Sequence, residues 1–252
     1  MKPNQLEIGD DLLYHSEPSF PESIIPFGIQ QLTDSPYNHI STVVDIKGDD
    51  VSVIEAIASG YKIRNIRDSI TEIDKRVSVF RYHSDGVGGS PLTDMQKAAI
   101  VQSAHFYENA PYGYSQIVFL ALLSEINNTT LPSFILRKIT EIGEQIVESK
   151  VNAFIGEQGV IISLFLSDLV KTNRGLIICS EGAYRLKTEN GIGLRLLNDD
   201  ARKTYYKATG AVLSIYQSTR QGDLQNQVIA DWVTPANMAE SPDNTYLDDL
   251  EV

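Results

Sequence analysis

The spacing of apolar residues along the chain changes character once. Up to about residue 84 they alternate with polar ones or form short β-branched runs, the period-2 pattern of strands. "DDLLYH" after Gly9 predicts a short strand, and "SEPSFPESIIPFG" a Pro-punctuated loop. "HISTVVDI" and "VSVIEAIA" flank the turn signal "KGDD" and predict a hairpin. "KRVSVFRYH" predicts a further strand before the loop "SDGVGGSP". From Leu92 the period becomes helical. "LTDMQKAAIVQSAHFYENA" predicts a helix capped by Thr93, and "SQIVFLALLSEI" a second. "LPSFILRKITEIGEQIVESKV" carries Ile and Leu on one face and charges on the other, "GVIISLFLSDLVK" is apolar, and a helix is expected from Ser180. "ARKTYYKATGAVLSIYQSTRQ" is helical again, and the acidic tail, residues 240–252, is expected to be partly disordered at its tip. Strands first and helices afterwards define an α+β class, read as one domain over residues 1–252.

Charge narrows the function classes. The 252 residues carry a formal net charge of -12, which makes the chain a poor candidate for sequence-independent binding to nucleic acid or anionic lipid and leaves room only for a local basic patch. The most apolar stretch, "VIISLFLSDLV", is too short for a transmembrane span, and the first residues lack the apolar core of a signal peptide. The expectation is a soluble, cytoplasmic protein. The four histidines, His15, His39, His83 and His105, show no metal-ligand spacing with one another or with Cys179, so no metal is expected; the thiol chemistry open to Cys179 requires no cofactor.

The chain has one cysteine, in "RGLIICSEGAYRL". Its placement at the start of a helix is open to two readings. One is a small hydrophobe ending a buried strand. The other is a nucleophile whose thiolate is stabilised by the free N–H groups and partial positive charge of a helix N-terminus. Such a thiol needs an imidazole, and the imidazole needs an orienting partner. Glu55 stands inside an apolar strand, where an unpaired carboxylate is costly, so it requires a partner. If residues 46–50 form the loop and Asp45 faces Val51, Glu55 faces Ser41. His39 is then a diagonal neighbour on the same face, about 7 Å away. A loop shorter by one residue turns Glu55 to the other face.

The order His, Glu, distant Cys resembles that of the circularly permuted papain-like hydrolases, and in particular the permuted amidases of the YiiX/YaeF type, relatives of the lecithin:retinol acyltransferase group within the NlpC superfamily. "LEIGDDLLY" is similar to that family's opening strand, "SPYNHISTVVD" to its histidine strand and "VSVIEA" to its acidic strand. "GYKIRNIRDSI…RVSVFRY", "LTDMQKAAIVQSAHFYENAPYGYS", "LIICSEGAYRL" and "VTPANMAESP" follow in the family's order. The resemblance implies a permuted papain-like fold, an antiparallel sheet or barrel packed on helices. It implies a thiol hydrolase acting on an amide, peptide or ester bond, with Cys179 as nucleophile, His39 as base and Glu55 as orienter. The backbone N–H of Cys179 is the implied oxyanion donor. Tyr112, Tyr114 and Ser180 are candidate substrate or oxyanion residues, the tyrosines reading equally well as packing. The stretch before Cys179 is longer than in compact members, which makes residues 120–172 a helical insertion: a lid, a substrate wall, a homodimer surface or extra core. The candidate substrates are a peptide, a cell-wall fragment or an acyl lipid. Acyl transfer and a silent ligand-binding module on the same fold are the alternatives.

Overall fold

The computed structural model describes residues 1–15, 30, 35–57, 59–73, 76–84, 88–110, 179–196 and 233–251. The expected insertion at 120–172, Tyr112 and Tyr114 lie outside the described residues.

The strands are β1 (Asp11–His15), β2 (Tyr37–Lys47), β3 (Asp50–Ile57), β4 (Gly60–Asn65), β5 (Arg76–Ser84), β6 (Ser90–Pro91) and β7 (Asn244–Asp249). The helices are α1 (Ile66–Ile73), α2 (Asp94–Tyr107), α3 (Cys179–Thr188) and α4 (Pro235–Ala239). The sheet runs β4-β3-β2-β1-β5-β6, with β7 also on β5, and every pairing is antiparallel. This is an α+β arrangement.

Alternation along the strands builds two cores, one on each face. Leu13, Ile40, Ile54, Ala56 and Tyr61 face one side and pack with Ile100 and Ala104 of α2, Ala183 and Leu186 of α3, and Met238 of α4. Leu12, Tyr14, Val43, Val53, Val77 and Val79 face the other, where Ile66 and Ile70 of α1 and Leu6 join them. Central β1 is thus buried on both faces, which is why "LLY" is apolar without a break.

Thr93 caps α2 as expected, its hydroxyl accepting from the Gln96 N–H while the Gln96 side chain accepts from the Thr93 N–H. Thr234 repeats the device with Asn237 at α4. The expected β2–β3 hairpin forms, but its turn differs. Lys47 pairs with Asp50, so the loop is the two residues Gly48 and Asp49, closed by a φ of +66° at Gly48. A bulge between Val43 and Asp45 then shifts the ladder by one residue, and Glu55 still faces Ser41. The acidic end is also more ordered than its composition predicts. Residues 244–249 form β7, because Asp249 accepts hydrogen bonds from Ser78 and Arg76 of β5. Pairing with those side chains offsets the repulsion that made the segment read as a loose tail.

One contact fixes α3 on the sheet. Lys187, with no exposed surface, places its Nζ 2.6 Å from both carboxylate oxygens of Asp11 on β1, and the Thr42 hydroxyl donates to Asp11 at 2.9 Å. Burial pushes the Asp11 carboxyl up, and the Lys187 ammonium and Thr42 hydroxyl pull against it. Removing one member strands the other charge in the core. Lys187→Met should therefore cost about 3–5 kcal/mol in urea unfolding at neutral pH, whereas Asp11→Leu combined with Lys187→Met should recover most of that loss.

Candidate active site

Glu55 is 0% exposed, so its position is decided by who neutralises it. On β2, His39 places Nε2 2.7 Å from Glu55 Oε2. On α1, Ser69 donates its hydroxyl to the same oxygen at 2.9 Å. On β4, Arg64 reaches the other oxygen, Oε1, with Nη1 at 3.3 Å. Three elements thus converge on one carboxylate from three directions.

The polar chain continues behind Ser69. Tyr14 Oη lies 2.8 Å from Ser69 Oγ and 2.9 Å from Ser41 Oγ. An ionised carboxylate only accepts, so Ser69 gives its proton to Glu55 and must accept from Tyr14. Tyr14, having donated, accepts from Ser41. All the dipoles in this series point at Glu55, and in a buried setting each strengthens the next. The Tyr14 ring also meets the imidazole edge-on, with centroids 5.1 Å apart at 68°, and closes one side of His39.

Burial pushes the Glu55 carboxyl up, and the hydrogen bond and charge of His39, the Ser69 hydroxyl and the Arg64 guanidinium pull it down. The balance lies below the ordinary glutamate value. A carboxylate in that state accepts the Nε2 proton, so neutral His39 is the Nε2–H tautomer with its lone pair on Nδ1.

The predicted residues fall out as follows. His39 and Glu55 are brought together on one face, as the hairpin reading required. Cys179 is the first residue of α3, and its side chain lies outside the described residues. Ser180 is buried. α3 packs on the opposite face from Glu55: Ala183 and Leu186 sit in the core with Ile54 and Ala56. Its first turn lies against Tyr61, so closely that a side chain at Gly182 would collide with the Tyr61 ring. Tyr61 pairs with Ala56, the residue after Glu55. The start of α3 therefore sits at the end of the sheet where β3 finishes and β2 begins, the end that carries His39.

Sequence reasoning missed Arg64, Ser69 and Tyr14. "GYKIRNIRDS" held a signal for two of them: alternation places Arg64 on the face of a β4 strand, and a helix after it places Ser69 one turn in. Among the described residues no group of three or more His, Cys, Asp or Glu side chains has the geometry to hold a metal. Among them, too, no helix is long and apolar enough to cross a membrane.

No protein-family profile matches the chain, and no curated protein matches it. Among solved structures it is similar to the metalloprotein YiiX of Escherichia coli O157:H7, DUF1105, at 19% identity and a TM-score of 0.37, over 71% of this chain and 92% of that one. A likeness of that size decides neither fold nor chemistry.

The depressed Glu55 carboxyl has a consequence for stability. Its contribution is fully present above about pH 4.3, the unfolded value, and is lost as pH falls through the lower folded value. Glu55→Gln lacks this dependence. The stability gap between the wild type and Glu55→Gln, measured by urea unfolding, should narrow below about pH 4.3. A gap unchanged down to about pH 3 would mean that the folded carboxyl is not held ionised.

Proposed function

We propose that the protein is a thiol hydrolase that cleaves an amide, peptide or ester bond through an acyl-enzyme, with Cys179, His39 and Glu55 as its machinery. The observation that carries this reading is the His39–Glu55 pair: an imidazole at the margin of the sheet, 14% exposed, bonded through Nε2 to a fully buried carboxylate. A merely structural histidine has no need of a buried partner held by two further groups, Ser69 and Arg64. In this reading the pair sets the tautomer and Nδ1 exchanges the thiol proton, with Glu55 in the role of an orienting carboxylate.

In this reading Cys179 and His39 meet past the end of the strands rather than across the sheet, since α3 and Glu55 occupy opposite faces. The N-terminus of α3 stabilises the thiolate. Sulfur attacks the carbonyl carbon, and the oxyanion that develops is held by the backbone N–H of Cys179. His39, protonated by the thiol, gives its proton to the leaving amine or alcohol as the C–N or C–O bond breaks. A thioester remains. His39 then takes a proton from water, whose oxygen attacks the thioester, and returns that proton to the sulfur as the C–S bond breaks, releasing the acid and restoring the thiol. The negative charge of Glu55 stabilises each imidazolium formed on the way.

YiiX is described as a metalloprotein. Around His39 the described residues offer one imidazole and one carboxylate, already bonded to each other, with a guanidinium on the second oxygen. That donor set fits an ion pair rather than a metal, and no step above uses one.

The test is chemical. Iodoacetamide at neutral pH should alkylate Cys179 faster than a free thiol, and His39→Ala should slow it. An activated acyl ester should leave an adduct on Cys179, seen by mass spectrometry, that decays in water. His39→Ala should reduce turnover by about 10²- to 10⁴-fold, and Cys179→Ala should abolish it with the fold intact. Reaction only after denaturation would identify Cys179 as an inert core residue and end the proposal.

A further inference from the structure

Beyond the triad, the site contains a permanent cation. Arg64 is 14% exposed and lies on β4, paired in register with Val53, so it is diagonal to Glu55 on the same face. Lys62, directly opposite Glu55, is the other basic residue of that strand, and its ammonium donates to Asn109 instead. Ser69 and Tyr14 bring hydroxyls and no charge. Among the described groups bonded to the Glu55 carboxylate, the positive ones are therefore His39 and Arg64.

These two cations differ in kind. An imidazole beside a carboxylate gains and loses its proton near neutral pH, whereas a guanidinium stays charged. If His39 were the sole counter-charge, Glu55 would become an uncompensated buried anion each time His39 turned neutral. The proton would then tend to stay on the imidazole or to pass to the carboxylate. Either result stalls an exchange of protons between His39 and another group. A fixed positive charge on Oε1, the oxygen that His39 does not use, removes the difficulty and leaves Oε2 to the imidazole and Ser69.

We infer that Arg64 is a positioning residue of the His39–Glu55 pair: the fixed counter-charge that keeps the carboxylate ionised while His39 alternates between its charged and neutral forms. Its role in turnover rests on the hydrolase reading. Its effect on the pair does not, so the test observes the pair directly.

The imidazole of His39 is followed by NMR across the pH range in full-length protein, its signal assigned by its loss in His39→Gln. Removing a cation favours the protonated forms of both neighbours. Arg64→Gln should therefore raise the His39 midpoint by about one pH unit. Arg64→Lys, which keeps the charge and loses the fork, should stay close to the wild type. In the wild type the carboxyl carbon of Glu55 should remain at its ionised position throughout the His39 titration. That last measurement needs no variant, so a Glu55 that takes up a proton overturns the inference even if Arg64→Gln does not fold. An unshifted His39 midpoint in folded Arg64→Gln overturns the inference, as does an equal shift in Arg64→Lys or a Glu55 that takes up a proton while His39 titrates. Absence of a Cys179 acyl adduct in the wild type would count against the hydrolase and leave these three outcomes unchanged.

Discussion

A carboxylate without contact to solvent dictates what surrounds it. Glu55 has no exposed surface, and four elements of the fold supply groups to compensate: β2 an imidazole, β4 a guanidinium, α1 a hydroxyl, and β1 the tyrosine that orients that hydroxyl. Each of these groups comes from an element that must be in its native place for the contact to exist. The full set of contacts to the carboxylate consequently exists only when this side of the sheet is complete. A charge that would be a burden in an isolated strand becomes, once surrounded, a reason for one particular arrangement of strands and helix.

The same logic explains which parts of the site were legible. The cost of an unpaired charge is local knowledge, available from "VSVIEAIA" alone, and it leads to His39 because the hairpin partner is sixteen residues away. Arg64 and Ser69 were not found because their positions depend on β4 and α1, two elements with short, mixed patterns in "GYKIRNIRDSITEI". Tyr14 sits in a strand that was recognised, yet its hydroxyl is set by the pairing of β1 with β2, which no single segment contains. The helix from Thr93 was legible because a capping box and a 3.6-residue period agree. The last strand was not, because acidic residues beside proline read as solvated chain until Ser78 and Arg76 are brought opposite.

On the far face of the sheet a second buried charge pair works over a longer range. Lys187 and Asp11 are separated by most of the chain, and their contact ties the C-terminal half of α3 to the central strand. Near the other end of α3 the helix approaches closely, with Gly182 against the Tyr61 ring. A polar clamp at one end and close approach at the other leave the helix little freedom to slide or tilt. That matters for any residue at its first position, since the helix carries Cys179 as a rigid extension of those two contacts.

The bulge in β2 has a meaning for how such a chain can change by insertion and deletion. Side chains alternate with period two, so the facing of Glu55 depends on whether the number of residues separating it from its partner is shifted by an odd or an even amount. The two-residue turn at Gly48 and Asp49 offsets the ladder by one residue, and the bulge after Val43 offsets it back. The hairpin thus obeys a parity rule. Loss or gain of a single residue at the turn alone would rotate the carboxylate out of the site, whereas a change of two, or one change matched by another at the bulge, would preserve it. Turn and bulge can therefore change by a single residue only as a linked pair, and a descendant whose turn differs by an odd number of residues should carry the compensating irregularity elsewhere along the same two strands.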